Sequence, residues 1–247
     1  MDLLNSKIFV IDDFYDDPDI IRGYALQQAI NSYGYHPGLR TLSCFNIEAH
    51  DKIVKLMNTS IQPSGDCYAF QYNTENDVSW IHTDIVPNEI FKHTEKNYWA
   101  AVVYLTPNAP VDSGTTIYTD KTYNISNMKE LIHKNTFTRS ESEKIIGELS
   151  LYGSDSSKWY STTKLGNVYN RMVIYDAAYY HQASRYFGNS KDNCRLIQIF
   201  FFNTNKKNND TDIIKEPVKY KIHEYTNYEK TIEQQKSRSG FLASLDI

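Results

Sequence analysis

The sequence predicts a mainly β domain with flanking helices, built as an antiparallel sandwich or barrel, and three observations lead there. From about residue 66 the chain breaks into short runs rich in β-branched and aromatic residues, separated by turn residues. Ahead of them, two stretches repeat their apolar residues at helical spacing. A chain of 247 residues, 40% hydrophobic and 23% charged, also has the length and composition of one packed domain.

In chain order, KIFVI at residues 7–11 reads as a short strand. Asp17 followed by Pro18 is a helix start, a capping carboxylate and then a ring that fits the first helical position. Ile20, Ile21, Tyr24, Ala25 and Ala29 recur at helical spacing and should lay one face on a sheet. A second helix is expected over about residues 47–59, where Ile53, Val54 and Met57 share a face. Six strand-like runs follow: CYAFQY, SWIHTD, WAAVVYL, TTIYT, VYNRMVIY and CRLIQIFFF.

The stretch over about residues 120–165 is too long for a hairpin connection and is expected to be an insertion, a lid or a substrate-facing segment. The domain is expected to span residues 1–203. Residues 204–247, opening within NTNKKNNDTD, read as a polar linker and peripheral segment, with a helix around YTNYEKTIEQQK.

A formal net charge of -4 and a pI near 6.0 supply no broad basic surface for non-specific nucleic-acid binding. Cys44, Cys67 and Cys194 are odd in number and form no C-x-x-C pair, so they indicate neither a disulfide framework nor a structural zinc site. A reducing compartment fits them, and Cys67 and Cys194 sit in apolar strand contexts typical of inert thiols. The opening MDLLNSKIFVIDDF has no basic region followed by an apolar run, and no stretch of about eighteen apolar residues occurs, so a cytoplasmic, non-membrane protein is expected. No G-x-S-x-G, P-loop or G-x-G-x-x-G follows a strand. The 20 tyrosines and 11 phenylalanines are assigned mostly to sheet and core rather than to a groove.

The chemistry begins at His82 and Asp84, an H-x-D at the end of the expected strand SWIHTD. Residues two apart on a strand share a face, so an imidazole and a carboxylate can converge on one ion. Two histidines and a carboxylate on one face of an octahedron are the donor set of non-haem Fe(II) oxygenases. With seven histidines, an H-x-D also arises by chance, as a turn with a solvent-facing carboxylate.

His181, placed between two strands late in the chain, is the candidate third ligand. Further on, Arg195 enters the most hydrophobic run, sharing a strand face with Ile197, Ile199 and Phe201 while Leu196, Gln198 and Phe200 face the other way. A guanidinium on an apolar face is costly without an anion, and a carboxylate clamp is the partner it suits best. An internal Asp or Glu is the alternative partner.

The order strand, H-x-D, Y-L, S-G-T-T, strand, His and then Arg on a final strand resembles the prolyl-4-hydroxylase-like branch of the 2-oxoglutarate/Fe(II) dioxygenases. The matching segments are FQYNTENDVSWIHTD, WAAVVYLTPNAPVDSGTTIYT, and VYNRMVIYDAAYYHQASRYFG with NCRLIQIFFF, covering about residues 66–203. IFVIDDFYDDPDII is similar to that branch's opening strand and helix, and the chain is most similar to an uncharacterised domain-of-unknown-function group within it.

The resemblance implies a double-stranded β-helix (jelly-roll) core. It implies an enzyme that uses 2-oxoglutarate and O2 to hydroxylate a C–H bond, releasing succinate and CO2. By position it implies that His82, Asp84 and His181 bind catalytic Fe(II), that Arg195 anchors 2-oxoglutarate, and that Tyr72 helps to hold the co-substrate. Two departures stand out. Prolyl hydroxylases place a lysine at a shorter gap after the histidine; Lys191 fits that gap but lies in the polar loop GNSKDN. The family's paired glycine is here Ser113-Gly114, which a tight turn tolerates.

YHPGLR, with His36 and Arg40, resembles a loop of the uncharacterised group and is expected near the mouth of the site, unless it is an ordinary Pro-Gly turn. The primary substrate is expected to be a peptide side chain or a small metabolite rather than nucleic acid. A metal-free jelly-roll binding module is the alternative, against which the full ligand set with a matching arginine argues. A zinc hydrolase would use similar ligands, but there is no H-E-x-x-H and no general-base carboxylate at the usual spacing.

Overall fold

Asp17 and Pro18 start the first helix as their chemistry dictates. After β1 (Phe9–Ile11), the Asp17 side chain accepts the Ile20 N–H and Pro18 opens α1 (Pro18–Gln27). In this computed structural model, residues 8–31, 36–93, 95–133 and 137–205 are described. α1 buries Ile21 and Ala25, whereas Ile20 is 45% exposed and Ala29 lies past the helix end. One residue of offset turns a helix side chain through about 100°, which carries Ile20 out of the buried stripe.

Two short strands, β2 (Ile30–Asn31) and β3 (Leu39–Thr41), lead to α2 (Ile47–Met57). Asn46 caps its start, and Asn58 ends it in the left-handed region at φ 50°. Ala49 and Ile53 are buried on its inner face, with Val54 and Met57 at the edge.

The remaining elements are β4 (Gln62–Pro63), β5 (Phe70–Asn73), α3 (Pro87–Lys92), β6 (Lys96–Tyr104), β7 (Thr115–Asp120), α4 (Lys129–His133), α5 (Arg139–Leu151), β8 (Trp159–Leu165), β9 (Met172–Asp176), β10 (His181–Ala183) and β11 (Arg195–Asn205). The main sheet runs β1-β9-β6-β11-β5-β3-β2, with β4 also on β11. A second sheet runs β10-β7-β8, and the strand pairs are antiparallel. The fold is a jelly roll, mainly β with flanking helices.

β11 is the spine of this arrangement. Paired with both β5 and β6, it sends Leu196, Phe200 and Phe202 into a core shared with α1 and α2, and Ile197, Ile199 and Phe201 to the opposite face. Its pairing with β6 continues through Asn203, Thr204 and Asn205, so the polar residues expected to start a linker at 204 still belong to the sheet. The chain divides into two compact units, Met1–Lys206 and Lys207–Ile247. The expected tail helix and the rest of the linker lie outside the described residues.

Residues 120–165 differ from the expected insertion. They contain α4 and α5, the latter opened by a capping box between Thr138 and Glu141, and then β8, which joins the second sheet beside β7. Only Trp159 and Leu165 of WYSTTKL are buried, so this edge strand carries no alternating apolar signal. Among the described residues, no helix is long and apolar enough to cross a membrane.

Candidate metal centre

SWIHTD is not a strand; it is an irregular segment tied down at two points. His82 and His181 exchange both backbone hydrogen bonds, at 3.0 and 2.8 Å, and the Asp84 N–H donates to the Ala177 carbonyl at 2.9 Å. The first ties the H-x-D segment to the start of β10, the second to the turn after β9. Backbone hydrogen bonds therefore bring His82 and Asp84 to a histidine distant in sequence.

Donor atoms of His82, Asp84 and His181 lie within 4.8 Å of one another. His181 Nε2 is 3.1 Å from one Asp84 oxygen, and His82 Nε2 is 3.6 Å from the other. Each imidazole has its Nδ1 beside the carbonyl two residues earlier, Trp80 at 2.8 Å and Tyr179 at 3.0 Å. A carbonyl only accepts, so Nδ1 of each ring donates to it, and Nε2 is the atom turned toward Asp84 and left for a metal. Burial pushes the Asp84 carboxyl up, but His181 and then His82 outweigh it and hold it well below the usual carboxylate range. Burial likewise lowers His82, and the Asp84 carboxylate overrides that to leave its imidazole raised. An ionised carboxylate with two oriented imidazoles is a donor set suited to a divalent metal of the iron series.

The triad opens on a cavity of about 310 Å3. Its floor is the inner face of the main sheet, with Ile197, Ile199, Phe201, Val102 and Tyr175. Arg195 also lines it, only 2% exposed. Its Nε donates to the Ser113 carbonyl at 2.9 Å and Nη2 to that of Gly114 at 3.3 Å, while its guanidinium carbon lies 5.5 Å from the Tyr104 ring and 6.0 Å from that of Tyr186. Among the described residues, no carboxylate pairs with it.

Close packing against the end of β8 explains the single glycine of Ser113-Gly114. A Cβ on Gly114 would sit 1.8 Å from the Leu165 carbonyl oxygen, whereas the Ser113 hydroxyl has a place, donating to Pro110 and accepting from Asn167.

The profile of a family of unknown function, DUF6445, matches residues 3–185. The chain belongs to this family. The match takes in His82, Asp84 and His181 and ends before Arg195. A comparison with curated protein sequences finds no match. Among solved structures, HygX from Streptomyces hygroscopicus with nickel and 2-oxoglutarate bound aligns with a TM-score of 0.51 at 13% identity, covering 80% of this chain and 83% of that chain. HygX with nickel, 2-oxoglutarate and hygromycin B bound aligns with a TM-score of 0.50 at 14% identity, over the same shares. At that identity the likeness establishes a common fold.

Two residues singled out in the DUF6445 sequence stand elsewhere. Tyr72 does not line the cavity: it is 2% exposed within the core under α1, and its hydroxyl donates to the Ala25 carbonyl. Strand alternation is the reason, since Gln71 and Asn73 take the inner face and turn Tyr72 outward. Lys191 is on that outer side too, donating to the carbonyls of Leu26 and Gln28 and lying 5.0 Å from the Tyr72 ring.

Other lining residues carry little or no signal in the sequence. The Tyr175 ring lies 4.8 Å from the His181 ring, tilted 57° to it, and alternation along MVIYD places it inward with Val173. Tyr186 and Trp80 line the cavity from irregular segments, where no periodicity points to them. The loop with His36 and Arg40 does reach the cavity wall.

Proposed function

We propose that this chain is an Fe(II)- and 2-oxoglutarate-dependent oxygenase that hydroxylates a C–H bond of a peptide side chain or small metabolite, releasing succinate and CO2. The observation that carries this reading is one cavity that holds both a convergent His-Asp-His triad and a buried guanidinium with no carboxylate partner among the described residues. The motif order supports placing it in the prolyl-4-hydroxylase-like branch. HygX, which shares the fold, has nickel and 2-oxoglutarate bound; this reading assigns the same co-substrate and a metal of the same series to this chain.

His82, Asp84 and His181 would hold the metal through two Nε2 atoms and a carboxylate oxygen. The carbonyls of Trp80 and Tyr179 fix the ring orientations, a positioning that outer hydrogen bonds commonly give to metal-ligating histidines. Arg195 receives the distal carboxylate of 2-oxoglutarate, which supplies the anion its burial calls for. Ile197, Ile199 and Phe201 line the space with apolar surface, and Tyr104 and Tyr186 flank the guanidinium. When bound, Fe(II) couples decarboxylation of 2-oxoglutarate to oxygen transfer; the protein's part is orientation and a dry, charge-matched site.

Anaerobic calorimetric titration tests the binding half. The wild type should take up one Fe(II) and then 2-oxoglutarate, with the second step dependent on the first and both lost in His181→Ala. Absence of metal and 2-oxoglutarate binding in the wild type would leave a metal-free binding module.

A further inference from the structure

His36, Pro37 and the β3 residue Arg40 form one wall of the cavity, and none of them has a task in the reaction proposed above. The wall is tightly built. The Pro37 carbonyl accepts from Gln71 Nε2 at 3.1 Å and Asn73 Nδ2 at 2.9 Å, so two buried amides of β5 hold the turn. Gly38 adopts φ +71, and a Cβ there would lie 2.2 Å from the Tyr72 carbonyl, so only glycine brings the turn this close to the strand.

Arg40 carries the charge of this wall. Nη1 pairs with Asp66 at 2.7 Å and Nη2 donates to Gln71 Oε1 at 2.5 Å, while Nε is buried and has no partner among the described residues. A guanidinium has further N–H donors, so the residue is undersaturated. Its counter-ion stands outward: the Asp66 side chain is 54% exposed, that of Arg40 13%. Water screens the carboxylate far more than the cation. Arg40 and Arg195 serve one space, since the charges of both act on the Tyr186 hydroxyl, opposing the upward push of its burial.

We propose that Arg40 is the specificity-determining residue of this cavity, its guanidinium receiving a carboxylate of a small primary substrate and so holding that substrate against the His82–Asp84–His181 triad. This rests on the oxygenase reading, in which Arg195 is already engaged by 2-oxoglutarate and Arg40 is the second cationic group. A cavity of about 310 Å3 is at the small end of ligand sites, which suits a compact acid.

The test uses the full chain loaded with Mn(II) and 2-oxoglutarate under anaerobic conditions, reading paramagnetic broadening of probe NMR lines. The probes are matched acids and amides, N-acetylglycine with N-acetylglycinamide and benzoate with benzamide. Wild type should broaden the acids at concentrations about tenfold lower than the amides, the scale of one charge-assisted contact. Arg40→Gln should abolish that preference, Arg40→Lys should restore part of it, and Asp66→Asn should strengthen it by removing the competing carboxylate. A purely structural Arg40 would leave Asp66→Asn without effect on the acids. Acid and amide behaving alike in wild type, or an unchanged preference in Arg40→Gln, overturns the proposal. Lines of 2-oxoglutarate itself report on the underlying reading: if they fail to broaden in wild type, the oxygenase assignment falls, and this proposal with it.

Discussion

Lys191 and Arg195 are close in sequence, both lie beside tyrosine rings, and they serve opposite faces of the main sheet. Lys191, over Tyr72, spends its charge on the carbonyls of Leu26 and Gln28 at the end of α1. Arg195, over Tyr104, meets the carbonyls of Ser113 and Gly114 and, among the described residues, no carboxylate. The outer face closes on itself in the same way elsewhere: Tyr15 donates to Gln198, and Gln198 donates to the Tyr68 carbonyl. A face whose polar groups are satisfied internally maintains the fold. A face that leaves a buried cation without an anion, beside three convergent metal-type donors, is arranged for a ligand.

Substitutions on the two faces should therefore separate stability from ligand binding. The largest effect is expected at Phe200, fully buried on the outer face and edge-on to Tyr68 at 5.5 Å. Phe200→Ala should cost about 3–5 kcal/mol in denaturant unfolding, while the folded fraction still binds metal. On the inner face, Arg195→Gln should weaken 2-oxoglutarate binding about a hundredfold, the usual scale for truncating a buried charge pair. Its unfolding midpoint should hardly move, since the variant also removes a buried charge that has no carboxylate partner among the described residues. A destabilised Arg195→Gln with unaltered 2-oxoglutarate affinity would erase the distinction between the faces.

Acidity acts on the inner face through its metal donors. Proton and metal compete for Nε2 of His82, and with burial outweighed by Asp84 its imidazole titrates above its ordinary value. Metal affinity measured by calorimetry should therefore be full above that raised pKa and fall about tenfold per pH unit below it. The smallest effect is at Tyr72→Phe, which removes the hydroxyl bonded to Ala25. It should cost about 0.5–1.5 kcal/mol of stability and leave 2-oxoglutarate affinity unchanged, whereas a loss of affinity would return Tyr72 to the site.

Legibility in the sequence followed periodicity. The two faces of β11 could be read from alternation because the strand is long, paired on both sides and apolar on both. The same rule, applied to FQYN, would have turned Tyr72 away from the cavity once Gln71 was seen to face it. Helix α1 was legible from its cap, its buried stripe only to within one residue. What escaped had no period to follow. β8 is mostly polar and exposed, and the H-x-D segment is positioned by single backbone bridges rather than by a strand. His82 and Asp84 were identifiable from residue type and spacing, but their approach to His181 depends on pairings between segments far apart in the chain. Arg40 was placeable near the mouth of the site from the YHPGLR segment, but its pairing was not legible, because it depends on Gln71 and Asp66, which only the folded sheet brings beside it.

The central claim, that the inner face is an oxygenase site, is tested most directly by oxygen-dependent succinate release from 2-oxoglutarate, measured with Fe(II) for the wild type and Asp84→Ala. The account predicts succinate that requires Fe(II), oxygen and an intact Asp84, with the variant at background although it folds. Succinate at the same rate in Asp84→Ala, or none in a wild type shown to bind both Fe(II) and 2-oxoglutarate, would contradict it.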